Sequence, residues 1–594
     1  MRHFSALYRA LDRSNSRRAK QTSLLSWLAE AAREGIDELS AAWTLYLLSG
    51  GKPQLKLSTR DLRQMILEWT GIPDWLLAQS HQEVGDLAET LALLAPPCRE
   101  PIEQSITQWL KAVASIRRLP PAGRVPALRR IAEQVPDEQR FVFFKLLTGA
   151  LRVGVSRLEL VRALATYSGL DEKLLAQRMI GFESRSRTPV AEDFKRLLAP
   201  SSDREHDEGL EAGRPLPFFL AQPLPASYDT LDIRLGVPAD WQIEWKFDGI
   251  RAQYVRGLSA AGAALETPWW LWSRGEELIS AQFPELAQIA PLLPPATIID
   301  GELMIVNGQG AAVAGDGGSM DPCGLQSFAS LQRRLGRERV PNALIEEVPA
   351  ALVAYDLLRL EGVDLRGEPL HERRLRLTAL VRSARYLAAR AAVPLPLYLS
   401  PLLHEDNWSM FDARRLAARS QGTEGLMLKH QLSSYGIGRR QPEDGHGWWK
   451  WKLDPLTLDG VLIYAQKGHG RRSGVFSDYT FAVWDRSGSE PALVPFAKAY
   501  SGLTDQEMRE VDERIRRTSN ESFGPVRAVR PTMVFEIGFE GIAPSRRHRS
   551  GVALRFPRIL RWRRDKPVDE ADTLASLQVL LAQVAPRSAA SSRG

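Results

Sequence analysis

From the N-terminus to about residue 200, apolar residues recur at three- and four-residue spacing, in stretches such as ALYRAL, AAWTLYLL, LRQMILEW and FVFFKLL. That periodicity predicts amphipathic helices and an all-α region. Ser156 is followed three residues later by Glu159, the reciprocal arrangement that caps a helix start, and the preceding turn TGALRVGVS holds Gly149, Arg152 and Gly154. SSDREHDEGLEAGRP is polar and poor in large apolar residues, the texture of a linker. Beyond it the pattern changes to short β-like runs (QIEWKF, RAQYVR, WWLWS, TIIDGELMIV, LVAYDLL, GLMLKH) with helices such as DARRLAARS between them. A third texture follows, DGVLIYAQKG, YTFAVW, ALVPFAKAY and MVFEIGFEGI alternating with basic loops, as expected of a small β-barrel. The expected division is an all-α domain over 1–205, an α+β domain over 206–457, a β-barrel over 458–580 and a flexible tail over 581–594.

Composition narrows the class. The chain has 594 residues, 44% hydrophobic and 25% charged, enough for several ordinary cores and unlike a disordered or fibrous protein. A formal charge of +7 has the sign that suits a polyanionic partner. Two cysteines, Cys98 and Cys323, exclude a disulfide framework and a four-cysteine zinc site. No apolar run approaches the roughly 20 residues of a membrane span, and the basic, amphipathic start does not read as a signal peptide. A cytoplasmic protein without membrane attachment is expected. Gly51-Lys52-Pro53 lacks the rest of a phosphate-binding loop, and GHGRRSG follows no βα unit.

The segment IEWKFDGIR is different in kind. Lys246 ends an apolar strand and is followed by Asp248, the turn residue Gly249 and Arg251. Further motifs follow in order: SRGEELIS with Arg274, IIDGELMIV with Asp300 and Glu302, and VAYDLL with Tyr355 and Asp356. TEGLMLKH with Glu424 and Lys429, WWKWKLDP with Lys450 and Lys452, and RFPRILRWRRDKP complete the series. In this order they resemble the motifs of the covalent nucleotidyltransferases, and among those the ATP-dependent DNA ligases. The resemblance extends over nearly the whole chain. KLLTGALRVGVS is similar to the helical DNA-binding domain of the larger DNA ligases, and the basic barrel segment to their C-terminal oligonucleotide-binding fold. It implies an N-terminal all-α DNA-binding domain, an α+β nucleotidyltransferase (ATP-grasp-like ligase) domain and a C-terminal β-barrel OB-fold.

The resemblance also implies an activity, DNA ligase (ATP), EC 6.5.1.1, with ATP and Mg2+ as cofactors and nicked double-stranded DNA as substrate. Lys246 would be the nucleophile, and a lysine attacks the α-phosphate only as the neutral amine, below its usual value of about 10.4. Arg251, Lys450 and Lys452 would disfavour its ammonium form and neutralise the leaving pyrophosphate. By the resemblance Glu424 lies near the metal and Glu302 near the ribose or metal. Tyr355 stacks on adenine, the backbone around Glu244 reads the base edge, and Arg274 contacts the nucleotide or the nick phosphate. Either Arg439 or Arg440 approaches ATP, with Arg440 assigned to the nucleotide set.

The strongest basic feature is residues 545–566, where Arg546, Arg547, Arg549, Arg555, Arg558, Arg561, Arg563 and Arg564 interleave with Phe556 and Trp562, and only Asp565 opposes them in the run. Such charge points to phosphate; Arg555 and Arg558, with Lys467, Arg471, Arg472 and Arg152, are the expected contacts to the DNA backbone. In the family this segment swings over the active site during lysine adenylation and then turns away. Two cysteines cannot build the zinc module of NAD-dependent ligases, which favours ATP. RNA ligases and mRNA capping enzymes share the lysine motif but lack the long helical domain. A non-catalytic DNA-end-binding scaffold would predict decay at Lys246, Glu424 or Lys450, and all three residue types are present. A monomer is expected, with room for accessory repair proteins.

Overall fold

Helix signals and helices coincide through the first third of the chain. In the computed structural model ALYRAL lies in the helix Arg2–Asp12, AAWTLYLL in Glu38–Leu48, LRQMILEW in Thr59–Thr70 and FVFFKLL in Asp137–Thr148. Ser156 caps Arg157–Ser168 with both bonds of the box formed, its hydroxyl accepting from the Glu159 N–H while the Glu159 carboxylate accepts from the Ser156 N–H. Gly149, at φ +70°, ends the helix before it. The structure describes all residues except 15, 54, 56, 150, 152, 181, 183–187, 201–212, 225–227, 259–266, 307–324, 327, 338, 440–445, 469–474, 501, 524–525 and 585–594. Cys323 lies outside the described residues, and Cys98 is a free thiol.

Two compact units emerge, one of residues 1–155, 185–194 and 454–594, the other of 156–184 and 195–453. The second carries β1 (Gln222–Pro223), β2 (Trp241–Phe247), β3 (Ile250–Arg256), β4 (Trp269–Ser273), β5 (Thr297–Ile305), β6 (Ala350–Leu360), β7 (Val363–Asp364), β8 (Leu397–Leu399), β9 (Leu402–Leu403), β10 (Thr423–His430) and β11 (Trp448–Lys452). They form two sheets: five strands in the order β1-β11-β10-β2-β9, and six in which β4-β3-β5-β6-β7 is extended by β8 on β6. The 22-residue helix Leu370–Ala391, which the motif reading did not anticipate, seals the six-stranded sheet by burying Leu377, Val381 and Ala384. A cluster of Phe219, Val255, Ile298, Leu358, Tyr435 and Trp448 joins residues of both sheets. On β2 the residues alternate: Trp241, Ile243, Trp245 and Phe247 enter an apolar cluster with Leu426 and Trp451, which leaves Gln242, Glu244 and Lys246 for the opposite face.

The first unit holds β12 (Leu456–Lys467), β13 (Phe476–Asp485), β14 (Ala492–Ala499), β15 (Ser519–Phe523), β16 (Val526–Val529), β17 (Val534–Phe539), β18 (Gly541–Pro544), β19 (Val552–Arg555) and β20 (Arg558–Trp562); β12, β13, β14 and β17 follow the predicted runs, whereas β15, β16, β19 and β20 fall outside them. Seven of them make one sheet in which β12 pairs with β13, β16 and β17, and β17 with β20; β18 and β19 form a separate ribbon. Their core holds Phe481, Phe535, Phe539, Ile559 and Trp562, closed by Val511 and Ile515 of the helix Asp505–Thr518.

The arginine run corrects the sequence reading in one respect. Its charge is not opposed by Asp565 alone: Arg561 pairs with Glu536, Arg564 with Glu510, and Arg563 with Asp459 at 2.8 Å as well as with Asp565 at 2.9 Å. These acids are distant in sequence, so a local charge count could not see them. Among the described residues no helix is long and apolar enough to cross a membrane.

Candidate active site

Lys246 stands at the next-to-last position of β2, and its Nζ donates to the Glu424 carboxylate of β10. A β-bulge makes this contact. Thr423 pairs with Phe247 and Leu426 with Trp245, so Glu424 and Gly425 together face the single residue Lys246. Gly425, at φ +129°, is required there, since a β-carbon would lie 2.3 Å from the Trp451 carbonyl oxygen. The glycine of the TEGLM motif therefore lets β11 lie close while Glu424 turns toward the lysine.

Arg251 on β3 pairs in register with Glu302 on β5. Its guanidinium grips the fully buried Asp300 at 2.7 and 3.2 Å and donates to the Phe219 carbonyl at 2.6 Å. Burial opposes its charge, and Asp300 together with Tyr355 and Tyr435 more than offsets that, so Arg251 stays protonated well beyond any working pH. Glu302 lies close enough to feel Lys246, Arg251, Asp300 and Glu424. Burial is the main cause that pushes its carboxyl up to about 7; the two cations work against that shift and the two acids add to it.

Lys450 and Lys452 alternate along β11, where Lys450 pairs with Met427 and Lys452 with Gly425. The Lys450 ammonium is pushed below its ordinary value, first by burial and then by the like charges of Lys452, Arg439, Lys246 and Arg274. Arg274 is exposed just past β4, and its N–H donates to the Arg251 carbonyl at 2.9 Å. Of the two neighbouring arginines, Arg439 shares this cationic cluster; Arg440 lies outside the described residues. Motifs spread over more than 200 residues thus converge on one cluster of cations beside two carboxylates.

Tyr355 on β6 is buried, and its ring has the Lys429 Nζ 4.2 Å from its centroid and the Arg251 guanidinium at 5.7 Å. Lys429 also lies 4.9 Å from the Trp448 ring centroid and pairs at 2.6 Å with Glu244. Glu244 accepts a further bond from Gln242 at 2.8 Å. The side chain of Glu244 is thus fully engaged inside the fold, which immobilises β2 two residues before Lys246. The buried Lys429 had a signal in the sequence, a charge placed directly after the apolar run of Leu426, Met427 and Leu428. Tyr435, whose hydroxyl reaches both Asp300 and Arg251, had none.

Of the expected DNA contacts, Lys467, Arg555 and Arg558 lie in the other unit. Lys467 ends β12 and pairs with Glu83 at 3.0 Å. Arg555 ends β19 with its guanidinium 5.4 Å from the Phe556 ring centroid, and Arg558 begins β20, 3.9 Å from Glu540. Arg152, Arg471 and Arg472 lie outside the described residues.

Comparison with known proteins matches three family models: "DNA ligase N terminus" over residues 1–165, "ATP dependent DNA ligase domain" over 219–452 and "ATP dependent DNA ligase C terminal region" over 472–566. The chain is similar to a probable DNA ligase of Opitutus terrae, 36% identical over 78% of this chain and spanning 47% of that relative's length. A probable DNA ligase of Koribacter versatilis is 31% identical over 88% of this chain and 86% of its own. The solved structure named Pmar-Lig_PreS3 shares the fold with a TM-score of 0.56 at 16% identity, covering 94% of this chain and 99% of that one. With the motifs gathered as described and 86% of the Koribacter relative covered, the chain belongs to the ATP-dependent DNA ligase family.

Proposed function

We propose that the chain is a DNA ligase that uses ATP to seal nicks bearing a 5′-phosphate and a 3′-hydroxyl in duplex DNA, in repair, replication or recombination. The observation that carries this reading is the position of Lys246, in contact with Glu424 and within the charge field of Lys450. As the neutral amine, Lys246 attacks the α-phosphorus of ATP; an N–P bond forms, the bond to the bridging oxygen breaks, and pyrophosphate leaves. Lys450, Lys452, Arg274 and Arg439 neutralise the triphosphate and the charge that grows on the leaving group. Arg440 belongs to the same proposed nucleotide set. Tyr355 stacks on the adenine, and the backbone at Glu244 reads its edge. The 5′-phosphate of the nick then takes AMP from Lys246, and the 3′-hydroxyl attacks that phosphate, forming the phosphodiester and releasing AMP.

Glu302 and Glu424 supply the donor set of a hard cation. The described residues hold no group of three metal-ligating side chains, but magnesium takes one or two carboxylates and completes its shell with phosphate oxygens and water. Glu302, pushed up to about 7 chiefly by burial, is the kind of carboxyl that a bound cation would ionise. When bound, magnesium would neutralise phosphate charge.

The domain bounds 1–205, 206–457 and 458–580, an OB-fold for the C-terminal strands, DNA-backbone contacts from Arg152, Lys467, Arg471, Arg472, Arg555 and Arg558, and action as a monomer are parts of the same proposal. The test is incubation with α-labelled ATP and magnesium beside Lys246→Ala and beside labelled NAD. A covalent AMP adduct from ATP alone, absent in the variant and discharged by nicked DNA, is expected. No adduct on protein shown by mass to be free of AMP would overturn the reading and favour a DNA-binding scaffold.

A further inference from the structure

Tyr435 lies outside the seven motifs, in the loop between β10 and β11. Its ring is almost wholly buried, packed edge-on against Phe219 and Trp448 with centroids at 6.0 and 5.6 Å. Its hydroxyl donates to Asp300 Oδ2 at 2.6 Å and accepts from Arg251 Nη2 at 3.2 Å. Burial first, and then the Asp300 charge, hold the phenol protonated well beyond its ordinary range, so it is a permanent donor. The triangle of Arg251, Asp300 and Tyr435 joins three elements: β3, β5 and the loop. That loop is pinned again by the Gly438 N–H donating to the Phe218 carbonyl at 2.8 Å and by the Tyr435 N–H donating to Arg366 at 2.8 Å. Its next residue is Arg439.

We infer that Tyr435 is a positioning residue for nucleotide binding, fixing the Arg251 guanidinium through Asp300 and anchoring the loop that presents Arg439 to the phosphates. This rests on the function proposed above. The physical reason is directional. Asp300 could be reached by a flexible arginine in several ways, and a second donor on one carboxylate oxygen leaves one arrangement of the fork. Arg251 would bind the nucleotide alike before and during reaction, so a loosened fork raises the ATP requirement more than it slows a saturated enzyme.

The experiment is single-turnover adenylation of Lys246 by α-labelled ATP across ATP concentrations, with wild type, Tyr435→Phe, Arg251→Lys and the double variant. Tyr435→Phe keeps the ring and its packing. The ATP concentration for half-maximal rate should rise about tenfold with the saturated rate within about threefold, the scale expected for one hydrogen bond to a charged group. In the Arg251→Lys background the same change should add less than about twofold, because its target has gone. Equal effects in both backgrounds, or no rise in the ATP requirement, would overturn the inference. Should Tyr435→Phe not fold, Tyr435→His, which keeps a ring and an N–H donor, takes its place. A half-saturation within about threefold of wild type is then expected, and a shift as large as that of Arg251→Lys overturns the inference. A wild type that forms no adduct fails the ligase reading itself, and is thereby distinct from a failure confined to Tyr435.

Discussion

Gly249 and Leu303 approach so closely that a β-carbon on the glycine would stand 2.4 Å from the leucine carbonyl oxygen, and 2.7 Å from Glu302 Cγ. The glycine of the KFDG motif is thus the space into which β5 brings Glu302. Gly249→Ala must push β3 and β5 apart. It should destabilise the protein by about 2–4 kcal/mol and slow lysine adenylation by about a hundredfold or more, seen as a lower unfolding midpoint and a weaker AMP adduct.

The Glu302 carboxyl, raised from 4.5 to about 7, makes stability depend on pH. A raised folded-state value means that the native protein holds a proton which the unfolded chain has already lost. The associated stabilisation is complete below about 4.5 and disappears as pH rises through about 7. Denaturant titrations of the metal-free, ATP-free protein should therefore show Glu302→Gln stabilising it at pH 8 by about 3 kcal/mol, and at pH 5 by less than about 1 kcal/mol. An equal effect at both pH values would show that Glu302 ionises normally.

Lys20 is a buried ammonium whose Nζ donates to the carbonyls of Val153 and Gly154 at 2.7 and 2.8 Å. It holds the turn ahead of the capped helix. Lys20→Met should cost about 1–3 kcal/mol in stability and weaken nicked-DNA binding several-fold while adenylation from ATP is retained. The comparison of gel-shift affinity with adduct yield checks it.

Lys467, proposed to contact DNA, is paired with Glu83, whose carboxylate is largely exposed. Exposed pairs are worth at most about 1 kcal/mol, so Glu83→Gln should tighten nicked-DNA binding by no more than about fivefold. If Lys467 meets a phosphate, Lys467→Gln should lower the salt slope of binding by about one. An unchanged slope would remove Lys467 from the DNA contacts.

How much could be read beforehand depended on the range of each interaction. Helices and strands follow from local alternation, and Lys246, Glu302, Lys450 and Lys452 stand out because their motifs are contiguous. Three features depend on distant partners and left no trace in the order of residues. Tyr435 reaches back 135 residues to Asp300, Arg563 finds Asp459 across 104, and Arg374 of the long helix donates to the Ser400 carbonyl. A tyrosine in a loop and an arginine in a basic run look ordinary until the fold supplies the other half of the bond. The helix Leu370–Ala391 was obscured for a related reason. Arg373 and Arg374 are buried, Arg373 bound to Asp356 at 2.8 Å, so its inner face does not read as apolar.

The bulge at Glu424 and Gly425 also sets which way the rest of β10 faces. Side chains on a strand change sides at every residue, and one extra residue reverses the parity of all that follow. Deleting either of the pair would exchange Leu428, now in the core, with Lys429, now between Tyr355 and Trp448. The bond from Lys246 to Glu424 and the burial of Lys429 against Glu244 are thus consequences of a single inserted position. The length of that stretch is therefore as much a part of the site as the identities of Glu424, Gly425 and Lys429.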